Sequence, residues 1–121
     1  MLFRSVRNRL AGIDTTTGTA TSFDPNMGST VNALAISGTT LYAGGSFLSV
    51  NGGTVRSELA AIDTTTGTAT SFDPNMNNLV SALAISGTTL YAGGAFTSVN
   101  GGSKLTQGVS VINLNTGQPL P

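Results

Sequence analysis

The sequence predicts an all-β fold made of a repeated unit, and three observations carry that prediction. Fifteen residues, IDTTTGTATSFDPNM at 13–27, return letter for letter at 62–76. No segment holds the 3.6-residue apolar spacing of a helix for long, while β-branched Thr, Val and Ile are plentiful. Short apolar runs are separated by Gly, Pro, Asn and Thr clusters, as strands are by turns.

The repeat extends beyond that stretch. ALAISGTTLYAGG at 33–45 recurs at 82–94 and SVNGG at 49–53 recurs at 98–102, all at one offset of 49 residues. A third, degraded pass aligns VINLNTG at 111–117 with AIDTTTG at 61–67 after a one-residue insertion, and LFRSV at 2–6 resembles SFLSV at 46–50. The chain therefore divides into a partial unit at 1–27, a full unit at 28–76 and a truncated unit at 77–121.

Four apolar runs make up one unit. VSALAIS at 80–86 and TLYAGGAF at 89–96 flank Gly87-Thr88, a tight hairpin signal. ELAAID at 58–63 and TATSF at 68–72 flank a Thr-rich turn ending in Gly67, which predicts a second hairpin. Asp73-Pro74-Asn75 then breaks the chain into a loop, because Pro cannot donate to a ladder. ALAI and LYA are apolar at consecutive positions, which predicts sheets covered on both faces. A four-stranded antiparallel sheet covered on both sides by copies of itself, repeating at about 49 residues, is a β-propeller blade.

LYAGGAFTSVNGG at 90–102, with LAAID at 59–63 and TSFDPN at 70–75, resembles the bacterial delta-60 type of β-propeller repeat, with its Gly-Gly-x-Phe strand end, Asn-Gly loop and terminal Ser-Phe. The hydrophobic-Gly-Gly element is also similar to kelch repeats, and AIDTTTG to the A-x-D-x-x-T-G turn of quinoprotein propellers. The quinoprotein pattern places a Trp after that turn, whereas Phe23 and Phe72 stand there and the chain has no Trp. The resemblance implies a propeller module of large bacterial surface or secreted proteins, extracellular or at the cell surface, with no activity common to the family.

Composition removes several function classes. Five basic residues (Arg4, Arg7, Arg9, Arg56, Lys104) balance five acidic ones (Asp14, Asp24, Glu58, Asp63, Asp73), so no net field draws in nucleic acid. MLFRSVRNRL lacks the apolar core of a signal peptide, and no apolar run has the roughly 18 residues of a membrane span. Cys and His are absent, which leaves nucleophilic chemistry to a Ser or Thr activated by Lys104, a residue present in only one repeat. We expect no enzyme, no cofactor and no metal.

Asp14 and Asp63 open D-T-T-T-G turns, where a carboxylate accepts N–H bonds from residues two or three ahead, and Gly18 and Gly67 supply the positive φ that closes them. Calcium loops need several oxygen ligands at alternate positions, which Thr15–Thr17 do not offer. Phe23, Phe47, Phe72 and Phe96 are expected in the core. Gly44-Gly45 and Gly93-Gly94 lack the Lys-Ser/Thr of a phosphate cradle and are expected where neighbouring strands approach closely. The residues that loops or strand ends could turn toward a ligand are Asp24, Asn26, Tyr42, Asn51, Asp73, Asn75, Tyr91 and Asn100. Two functions follow: a scaffold that assembles with itself or binds surface proteins, or a glycan-binding propeller with Tyr, Asn and Asp gathered at each blade junction.

One chain holds too few strands to close a ring of 4–8 blades. About five uncovered apolar side chains on a terminal blade would forgo roughly 10 kcal/mol of burial, comparable with the whole stability of a typical domain. We expect a homo-oligomer in which the N-terminal hairpin at 10–23 completes the sheet begun by another chain's hairpin at 82–96. Three chains would make a six-bladed ring, with two chains or an open stack as alternatives.

Overall fold

A computed structural model of the chain describes residues 9–99, 104–105 and 108–119. The expected match of 2–6 with 46–50, Asn100 and the second Asn-Gly-Gly turn lie outside them. The described residues are all-β, with ten strands and no helix. There is accordingly no helix long and apolar enough to cross a membrane among them.

The first sheet has the order β1-β2-β5, from β1 (Val31–Ser37), β2 (Thr40–Gly45) and β5 (Leu59–Asp63). The second repeats it as β6 (Val80–Ser86), β7 (Thr89–Gly94) and β10 (Val109–Asn113), in the order β10-β7-β6. All pairings are antiparallel. Gly38 (φ 61) and Gly87 (φ 60) turn the two hairpins, and no positive φ is recorded for the Thr that follows each, a pattern that fits a type II′ turn. Two-stranded ribbons branch off each sheet: β3 (Ser49–Val50) with β4 (Thr54–Val55), and β8 (Ser98–Val99) with β9 (Lys104–Leu105).

The fourth strand expected at 68–72 is reduced to a single bridge, Ile62 to Ala69, with equivalents at Ile13–Ala20 and Ile112–Pro119. Thr70 N still donates to Ala61 O at 2.8 Å, but side chains then capture the backbone groups that would lengthen the ladder. Thr70 Oγ1 accepts the N–H of Phe72 at 3.2 Å, and the Arg56 guanidinium donates to Thr70 O at 2.7 Å. Thr21 Oγ1 accepts the N–H of Phe23 in the same way. The sheets are thus three-stranded, and the third unit carries the same strands and the same outer bridge as the second.

Two cores, 49 residues apart in register, hold the layers together. Leu10, Met27, Ala43, Phe47, Val50, Ala60 and Ile62 form one, with Phe23, Val31, Leu41 and Ala69 against it. Leu59, Met76, Ala92, Phe96, Val99 and Ile112 occupy the equivalent places in the other, with Phe72, Val80 and Leu90. The first core joins residues 10–27 to the near face of β1-β2-β5. The second joins the far face of that sheet to β6-β7-β10, and it adds Tyr42 and Ala61, which have no counterpart in the first. Phe47 and Phe96 are fully buried, as expected, though they lie just past the ends of β2 and β7 rather than within them.

Close approach explains three of the paired glycines, whereas a Cβ on Gly93 would meet only Gly108 O at 3.6 Å. A Cβ on Gly44 would stand 2.6 Å from Val80 Cγ1, and one on Gly45 or Gly94 would strike the carbonyl of Thr30 or Leu79. The expectation that every sheet is covered on both faces is corrected. β5 is buried along its apolar length, but Leu34 and Ile36 on β1 are 49% and 62% exposed, and Ala82, Ala84 and Tyr91 on the second sheet face solvent. Two stacked sheets leave two outer faces, whatever the run of apolar residues.

Candidate functional site

The repeated acidic turns are built alike. Asp14 Oδ1 accepts the N–H groups of Thr16 and Thr17 at 2.8 and 3.1 Å, and Asp63 Oδ1 those of Thr65 and Thr66 at 2.7 and 3.2 Å. Asn113 makes the same pair with Asn115 and Thr116. Gly18, Gly67 and Gly117 close these turns at φ 75, 75 and 71. The carboxylates are thereby engaged with backbone donors. Among the described residues no three acidic, His or Cys side chains gather as a metal would require.

Two of the candidate ligand-facing residues, Asn51 and Tyr42, are held by the fold. Asn51, at φ 58, donates through Nδ2 to Gly67 O at 2.8 Å and accepts the Ala69 N–H at 2.9 Å, while its own N–H reaches Pro25 O. It ties three separate stretches together. Asn26 (φ 49) and Asn75 (φ 51) sit in the left-handed region, which Asn tolerates because its short amide can bond locally. Asp73 is exposed and lies 3.8 Å from Arg56 Nη1. Asp24 is exposed beside the Gly67 turn, its backbone N 3.6 Å from where a Gly67 Cβ would be.

The two tyrosines, identical in sequence context, have different surroundings. Tyr42 is buried, packs edge-on against Phe72 with ring centroids 5.2 Å apart, and its phenol is pushed above its ordinary pKa by that burial. Tyr91 is 45% exposed. The structure therefore does not bring Tyr42 and Tyr91 into equivalent sites, nor does it gather Asn26, Asn51 or Asn75 around either.

Besides a depression of about 210 Å³ at Tyr91 on β6-β7, two larger concavities flank the sheets. One, of about 330 Å³, opens beside Tyr42 at the junction of the two sheets and is lined by Thr40, Thr70, Phe72, Leu114, Asn115 and Thr116, with Ser71 and Gly117. Asn115 escaped the sequence reading because the third repeat has diverged there, Leu-Asn-Thr standing for Thr-Thr-Thr. The other, of about 270 Å³, is apolar and lies between Ala11, Gly12, Ile13, Phe23 and Leu41. It is the first-core counterpart of the place that Tyr42 fills beside Phe72 in the second.

Comparison of the chain with family models, with curated proteins and with solved structures finds no match.

Proposed function

We propose that the chain is a non-catalytic β-propeller repeat module, a structural and interaction scaffold that assembles with copies of itself. The observation that carries this reading is the difference between Tyr42 and Tyr91. The equivalent face is covered on the first sheet and, among the described residues, open on the second, which supports reading it as a face that receives a neighbouring unit. The face-to-face packing of two equivalent sheets, with Gly44 against Val80 and Asn32 Nδ2 donating to Val80 O at 3.4 Å near the first strands, supports this reading, because neighbouring blades of a propeller also stack. The engagement of Asp14 and Asp63 in turn hydrogen bonds favours a structural over a catalytic role for them.

Two blades per chain favour a trimer, and the family resemblance favours an extracellular or surface location. Static light scattering over a range of concentrations tests the reading. We expect a mass of several chains; a folded single chain at micromolar concentration overturns it.

A glycan-binding role has one observation in its favour, the cleft at Tyr42, where an aromatic edge meets Asn115 and several hydroxyls. Binding on a glycan array that is lost in Asn115→Ala would favour this second reading over a pure scaffold.

A further inference from the structure

Repeat equivalence turns the exposed residues at the two ends of the fold into a matched set. Ile13 is 62% exposed, whereas its counterparts Ile62 and Ile112 are fully buried. Leu34 and Ile36 are exposed on β1, whereas Leu83 and Ile85 are partly buried against the second core. The apolar cavity beside Phe23 corresponds to the place that Tyr42 takes beside Phe72. Among the described residues, these exposures border the place where a β-hairpin of the β1-β2 type would cover the near face of the first sheet. At the other end, β6-β7 carries Tyr91 at 45% exposure, and a Cβ on Gly93 would find only Gly108 O at 3.6 Å, whereas Gly44 meets Val80. Among the described residues, β6-β7 thus has an uncovered face, and the cavity beside Phe23 holds no hairpin of that kind.

Resting on the self-association reading, we infer that the β6-β7 hairpin of one copy docks beside residues 10–13 of a second copy, Tyr91 entering the cavity at Phe23 as Tyr42 meets Phe72. The internal junction is the template, since the hairpin sequence is the same thirteen residues in both places. One feature of the fold changes the expected mode of association. The outer edge of β7 is already paired with β10 of its own chain, Tyr91 opposite Val111 and Leu90 opposite Ile112. A simple addition of the N-terminal hairpin to the 82–96 hairpin therefore has no free edge to use. Docking requires strand replacement: residues 10–13 of the second copy take the place of Val109–Asn113, and Ile13 takes the buried position of Ile112.

The contact is heterologous, knob on one end and socket on the other, so it propagates or closes into a ring according to the rotation between copies. The experiment uses two full-length variants at exposed positions, Tyr91→Asp and Ile13→Asp, with circular dichroism to check folding. Each alone should have the mass of a single chain under conditions where the unaltered protein assembles. Mixed in equal amounts, they should form a dimer and stop there, because one intact knob meets one intact socket. Amide exchange at Val109–Asn113 should be protected in either variant alone and lost in the assembled protein. If the unaltered protein assembles and both variants assemble equally well, or the mixture stays single, or β10 keeps its protection on assembly, the inference falls while the self-association reading stands. An unaltered protein that stays single overturns that reading itself.

Discussion

Asn51 and Gly67 are joined across 16 residues by a 2.8 Å bond from the Asn51 side chain to the Gly67 carbonyl. The same amide accepts the Ala69 N–H, so one side chain serves the outer turn of the sheet as donor and acceptor at once. Replacing Asn51 with Ala should cost about 1–3 kcal/mol, because a carbonyl and an N–H lose their partner together. Urea denaturation would measure it. Asn51→Asp, which keeps the acceptor and loses the donor, should fall between Ala and the native residue.

Gly44 and Gly93 occupy the same place in their repeats, but only Gly44 has Val80 Cγ1 within 2.6 Å of a would-be Cβ. Gly44→Ala should destabilise the dilute protein by about 1–3 kcal/mol through overpacking. Gly93→Ala should be close to neutral under the same conditions. Thermal melts of the two variants side by side would show whether the asymmetry holds.

Asp63 holds two turn N–H groups, and Asn113 holds two in the same geometry in the next repeat. Asp63→Ala should therefore cost about 1 kcal/mol. Asp63→Asn should restore most of that loss, since an amide oxygen accepts the same bonds. If stability does not change in either variant, the turn does not depend on its acceptor.

Burial pushes the Glu58 carboxyl above its ordinary pKa. The folded chain then keeps this proton at pH values where the unfolded chain has released it, so the contribution favours folding at low pH and declines as pH rises through the window above about 4.3. Glu58→Gln should flatten that decline, and a pH series of denaturation curves would reveal it. Glu58 also stands at φ 68, where the third repeat has Gly108 at φ 79. Glu58→Gly should relieve this strain and raise stability by up to ~1 kcal/mol.

The repeat, the hairpin turns at Gly38 and Gly87 and the strands of LAAID and VSALAIS were legible in the sequence, because exact duplication, short apolar runs and glycine turn chemistry are local signals. So was the engagement of Asp14 and Asp63 with the N–H groups just ahead of them, a contact spanning only two or three residues. The reduction of the fourth strand at 68–72 to a single bridge was not, and there Thr70 O takes its hydrogen bond from Arg56, 14 residues away. Nor could sequence distinguish Tyr42 from Tyr91, which share every neighbour from Ala33 to Gly45 and from Ala82 to Gly94. Burial is a property of what packs opposite, and Phe72 and Val80 stand across from the first sheet, while among the described residues nothing stands across from the second. The sequence by itself determined the unit and its turns. Only the tertiary structure decided which copies of that unit are covered, because stacking gives each sheet its neighbour in space and a linear stack always has two ends.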